Sequence, residues 1–165
     1  MRRLFAISVF LGLALSSAVR HANAASPSFL EGTWVLKQAY EIKPDGAFAY
    51  PYGQSPQGIL IVDAHGRYVV EIFGENRVKF PANAATLEQY KQAMTSMSVH
   101  TGEVEVDAAG GLLIFHVGHN GYAERDGTTQ KRPYQLNGNV LSYKIPAAAE
   151  GKINIPVTVW ERAKD

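Results

Sequence analysis

From Thr33 onward the chain repeats one pattern: a short run of β-branched and aromatic residues, then turn chemistry, every ~8–15 residues. That rhythm restricts the fold more than any other feature, because the apolar positions alternate instead of recurring at helical spacing. The first run, TWVLKQAYEI (Thr33–Ile42), places Trp34, Leu36, Gln38 and Tyr40 on one face. GILIV and RYVVEIF flank Asp63-Ala64-His65-Gly66, and closing that loop by pairing Val62 with Arg67 groups Ile59, Ile61, Tyr68, Val70 and Ile72. VHTGEVEV and LLIFHVG flank DAAGG. TTQKRPYQL and VLSYKI flank Asn137-Gly138, a strong hairpin signal because both residues tolerate positive φ. Pairing Leu136 with Asn139 there sets Arg132 opposite Tyr143. With IPVTVWERA at the end, about eight strands are available, enough to close a barrel without free edges. The expected fold is all-β, a single eight-stranded antiparallel up-and-down barrel with one short helix.

The helix is TLEQYKQAMTSM, starting at Thr86, with Leu87, Tyr90, Met94 and Met97 at helical spacing. Thr86 and Gln89 fit the capping box, in which each side chain satisfies the other's orphan backbone donor. The apolar stripe reads as a packing face laid across one end or side of the sheet.

Residues 1–24, MRRLFAISVFLGLALSSAVRHANA, open on the arginines Arg2 and Arg3 and continue with an apolar run and a small-residue A-x-A end, the pattern of a cleaved secretory signal peptide. The apolar run is too short to span a bilayer, which takes ~20 residues. Residues 25–165 are then one exported domain, periplasmic or secreted. Losing Arg2, Arg3 and Arg20 takes the formal charge from +1 to −2, and no basic cluster remains for nucleic acid or an anionic membrane surface. The chain has no cysteine, so stability rests on a core rather than on disulfides.

Several motifs occur together in order. Gly32-Thr33-Trp34 opens the first strand. Tyr52-Gly53-Gln54-Ser55-Pro56-Gln57-Gly58 precedes the second, and His65-Gly66-Arg67 opens the third. Thr101-Gly102-Glu103-Val104-Glu105-Val106, His116 within an apolar strand, Arg132-Pro133-Tyr134-Gln135-Leu136-Asn137-Gly138 and Trp160-Glu161-Arg162 follow. The ordered set resembles the bacterial and fungal lipocalin-like domains, departing from them at His65, where an aspartate is usual, and at Glu103, where an aromatic is. The resemblance implies a calycin-type barrel with an internal cavity, Trp34 plugging its closed end and Arg162 packed over the indole. It implies no single activity; some relatives assist cyclisations in natural-product pathways.

Strand parity nominates the lumen. With Glu103 and Glu105 facing water, His100, Gly102, Val104 and Val106 turn inward. Pairing Val106 with Leu112 across DAAGG then sets Gly102 opposite His116 and brings His116 inside. A turn one residue shorter flips LLIFHVG, puts Phe115 and Val117 inside and expels His116. The expected ligand-binding set is Gln38, Tyr40, Tyr68, His100, His116, Arg132, Tyr134 and Tyr143, with His116, Arg132 and Tyr134 as candidate catalytic groups. His116 and His119 form H-x-x-H, but residues i and i+3 of a strand point to opposite faces, so no metal site is expected. No cofactor is implied, and no G-x-S-x-G or cysteine nucleophile occurs. Three functions fit: a carrier or scavenger of a small hydrophobic molecule, neutral or anionic, with Arg132 available to pair with a carboxylate or enolate; a cofactor-independent isomerase or cyclase in the same cavity; or an interaction module with a filled interior. Ligand identity and oligomeric state have no signature in the sequence.

Overall fold

The alternating runs form strands where the sequence places them. The computed structural model describes residues 29–81, 83–146 and 153–164, so the expected signal peptide lies outside the described residues. The strands are β1 (Gly32–Ile42), β2 (Phe48–Ala49), β3 (Gln57–Val62), β4 (Arg67–Phe73), β5 (Met97–Asp107), β6 (Leu112–Asn120), β7 (Thr129–Asn137), β8 (Val140–Lys144) and β9 (Ile155–Arg162). Each pairs antiparallel with its neighbour, and β1 also pairs with β9, which closes the sheet. The two-residue β2 is a side ribbon on β1, leaving an eight-stranded up-and-down barrel.

One end is closed by a unit assembled from both chain termini. Trp34 is fully buried and donates from Nε1 to Leu30 O at 3.0 Å. The Arg162 guanidinium lies 4.2 Å from the Trp34 ring centroid, donates to Glu31 O at 2.6 Å and also donates to Phe29 O. Gly32 sits at φ +118°, and a Cβ there would come within 2.9 Å of Arg162 Nη1. Only glycine fits that backbone and that close approach. Trp160, also fully buried, fills the next layer against Tyr143 and pairs across the sheet with Leu36 and Leu141.

Helix α1 (Leu87–Thr95) starts at the expected capping box: Gln89 N donates to Thr86 Oγ1 at 3.2 Å and Thr86 N to Gln89 Oε1 at 2.9 Å. Its apolar stripe does not pack as expected. No helix residue is buried, Leu87 is 85% exposed, and Met97 belongs to β5. Tyr90 instead meets Phe80 edge-on at 5.4 Å.

Three hairpins close differently from the expected pairing, β3–β4 and β5–β6 by one residue and β7–β8 by two. In β3–β4, Val62 pairs with Tyr68, not Arg67, because the Asp63 carboxylate draws in His65 N and Arg67 N, both at 2.9 Å, and the Arg67 side chain. The inner face therefore carries Leu60 and Val62, while Ile61 is exposed. In β7–β8, Asn137 pairs with Val140 around Gly138-Asn139, so Tyr134, not Arg132, opposes Tyr143. In β5–β6, Asp107 itself pairs with Leu112, its carboxylate accepting from Gly110 N at 2.8 Å to cap a shorter turn. Glu103 then opposes His116, and Leu113, Phe115 and Val117 point inward. His116 is expelled to the outer wall. Near the other end of this pair a bulge leaves Gly118 unpaired, which restores parity so that His100 and Asn120 pair.

Replacing Arg162 with alanine removes a cation–π contact and leaves two carbonyls without their donors. Urea unfolding should show a loss of about 2–4 kcal/mol, and Arg162→Lys should recover only part of it.

Candidate functional site

Because the two tryptophans and their neighbours fill the closed half, the space left lies in the other half of the barrel. It is a cavity of about 310 Å³, at the small end of ordinary ligand pockets (~300–1,000 Å³). Its inner part is formed by Ala39, Val70, His100, Gln130, Arg132 and Tyr143. Tyr52, Met97, Ser98, Tyr122 and Arg125 border it from the loops and the β5 start beside helix α1. Apolar walls with a few converging polar groups are the usual anatomy of a small-molecule site.

Phe115 is the base of the polar cluster. The Arg132 guanidinium lies 4.4 Å from its ring centroid and 5.3 Å from that of Tyr143. Arg132 also donates from Nη2 to Gln130 Oε1, while its buried Nε has no acceptor among the described residues. Arg132 is 5% exposed, and no carboxylate among the described residues pairs with it within 4.0 Å. The π faces and one amide oxygen thus stabilise a buried cation that has no counter-charge.

His100 and Tyr68 complete the cluster, with His100 Nδ1 2.8 Å from the Tyr68 hydroxyl. Burial, reinforced by the Arg132 and Arg125 charges, lowers the His100 pKa to about 3. Burial raises that of Tyr68, with Arg132 opposing and Tyr143 adding. Both side chains are therefore neutral across the ordinary pH range. Nearer the rim, burial also raises the Tyr52 hydroxyl, against a hydrogen bond with Ser98 that lowers it.

The structure brings His100, Arg132 and Tyr143 together at the cavity, with Tyr68 directly behind His100. It does not bring Gln38, Tyr134 or His116 there. A β-bulge between Leu36 and Gln38 reverses the parity of β1, so Ala39 is buried and Gln38 faces out. Tyr40 borders the cavity, but its ring packs on Phe48 and Tyr50. Tyr134 stacks on Phe29 at 5.7 Å and is not among the lining residues. His116, on the outer wall, is 3.1 Å from Thr129 Oγ1 and 3.4 Å from Glu105. His119 is 89% exposed beside Asp126. No group of three or more metal-ligating side chains occurs among the described residues.

Sequence reasoning missed Gln130, Tyr52, Tyr122, Arg125 and Glu41 as lining residues. Gln130 was within reach, since it precedes Arg132 by two residues on the same face. Tyr52 lies in the Y-G-x-x-P-x-G motif. Tyr122 and Arg125 sit in a loop with a short 3-10 turn at Ala123–Arg125, where periodicity carries no information.

The family model described as a lipocalin-like domain matches residues 31–163, almost the whole described chain. The chain belongs to the lipocalin-like domain family. No curated protein matches it. Among solved structures, it is similar to a redesigned β-barrel, with 11% identity, a TM-score of 0.43, and coverage of 83% of this chain and 94% of that one. It is also similar to an asparagine-to-glutamine mutant of the fluorescent protein UnaG, with 13% identity, a TM-score of 0.36, and coverage of 82% and 96%. Both are distant likenesses; family membership rests on the sequence match.

A histidine whose pKa is lower folded than unfolded stabilises the fold while it stays neutral. The contribution is complete above the ordinary value of 6.5 and is lost as pH falls towards about 3. Urea unfolding from neutral pH down to about pH 4 should therefore cost the wild type about 2–3 kcal/mol more than His100→Gln, which has no ring to protonate.

Proposed function

We propose that this lipocalin-like protein is an exported carrier that encloses a small, mostly hydrophobic molecule in its barrel. One observation carries the reading: a cavity of about 310 Å³ remains in a barrel whose other half is packed to full burial, with the polar groups converging on one wall. A barrel built only for stability or for docking would fill that space, since packing to density gains dispersion and hydrophobic energy. The n-, h- and c-region pattern of residues 1–24 supports export. Intact mass of protein recovered from its own cells should then begin at Ala25 or Ser26.

The isomerase or cyclase reading relied on His116 as an inward acid–base group. That side chain is on the outer wall, so the reading has lost the residue that favoured it over transport.

N-phenyl-1-naphthylamine, a neutral hydrophobic dye, tests the cavity. The wild type should bind it with enhanced fluorescence. Ala39→Phe, which places a ring in the cavity from a buried wall position, should weaken binding by at least about tenfold. Equal dye binding by both proteins would show that the barrel interior is not the site. Native mass spectrometry of protein from its own cells should reveal the carried molecule directly.

A further inference from the structure

The polar wall of the cavity has a definite hydrogen-bonding polarity. Tyr68 is 2% exposed, and the acceptor within reach of its hydroxyl, among the described residues, is His100 Nδ1 at 2.8 Å. A buried O–H without an acceptor is costly, so the hydroxyl donates to Nδ1. In a neutral imidazole the nitrogen that accepts carries no proton, and the ring proton is on Nε2. Tyr68 thus fixes the tautomer and leaves an N–H as the free edge of a residue that lines the cavity.

Gln130 removes the nearest acceptor in the same way. Its amide nitrogen donates to Thr128 Oγ1 at 3.5 Å, which turns Oε1 to Arg132. Nη1 of Arg132 has no protein partner among the described residues. At His100 and Arg132 the wall therefore presents donors, one of them charged, and the neighbouring Gln130 oxygen and His100 Nδ1 are already engaged. Two cations, Arg125 and Arg132, and one carboxylate, Glu41, line the cavity, and Asn154 Nδ2 holds Glu41 at 2.8 Å. The lining charge is that of a single cation, which complements a monoanion and leaves a dianion undercompensated.

We propose that the enclosed molecule is a monocarboxylic acid, its carboxylate held by Arg132 and the Nε2–H of His100 and its apolar part directed towards the mouth. The assignment rests on the carrier reading above and specifies its ligand class. A carboxylate suits this site because it is planar, singly charged and accepts from two donors at once. Its arrival supplies the counter-charge that the buried guanidinium lacks.

Displacement of bound N-phenyl-1-naphthylamine by octanoate and by octan-1-ol, at neutral pH, separates head group from tail. Octanoate should displace the dye at concentrations roughly 10- to 100-fold lower than the alcohol. Arg132→Met should erase that preference. Equal displacement by acid and alcohol on the wild type overturns the carboxylate seat and leaves the carrier reading intact. Failure of the wild type to bind dye, acid or alcohol overturns both. The acid–alcohol comparison needs no variant, so it decides even where Arg132→Met does not fold. Long-range proton–nitrogen spectra of the wild type, with His100 assigned through His100→Gln, should show the proton on Nε2. A proton on Nδ1 would make the free edge an acceptor and overturn the proposal independently of any ligand.

Discussion

Trp34 is where the sheet becomes a barrel. It pairs with Leu60 of β3 on one side and with Arg162 of β9 on the other, while the Arg162 side chain covers its indole. The first and last strands are thereby tied at one point, with carbonyls just upstream of β1 accepting from the same guanidinium. Closure at that end forces the inward side chains of every strand into one volume. Trp34, Trp160, Leu30 and Leu60 are all buried there. The cavity is what the remaining, smaller and more polar inward positions leave open.

That division also sets the electrostatics. A barrel interior excludes water, so each buried polar group must be satisfied from within or by what enters. Tyr68 and His100 satisfy each other, and both hold their neutral forms because burial penalises charge. Arg132 cannot shed its proton, so it keeps its charge and rests on Phe115 and Tyr143. Within this cluster the charge is consequently that of Arg132 alone.

The strand runs, the capping box and the closed-end motif were all legible in the sequence, since each is written in residues that act locally or in recurring pairs. Register was not. Alternation shows which residues of a run share a face, whereas the pairing depends on how the turn closes. Asp63 and Asp107 each shift their hairpin by one residue through hydrogen bonds to their own loop. Those bonds depend on turn geometry, which hydrophobic alternation leaves undetermined. The bulge in β1 acts in the same way on Gln38 and Tyr40. His100, Tyr68, Arg132 and Tyr143 face inward as strand parity expects, because burial of their own strand's inward face decides their side. His116 depended on the length of one turn, and it moved with it.

With His116 on the outer wall, His100 is the one histidine lining the cavity among the described residues, and that changes the kind of chemistry the wall supports. A general acid or base works best when its pKa lies near the operating pH, so that both protonation states are accessible. His100, held near 3 by burial and two arginines, stays in one state and cannot cycle protons at neutral pH. Its fixed N–H is suited to holding an acceptor in place. Arg132 likewise binds and orients without exchanging a proton. Groups held in one protonation state, as His100 and Arg132 are, can select and retain a ligand, and the same locking makes proton transfer by them inefficient. The electrostatics that stabilise the interior therefore support the proposed carrier reading.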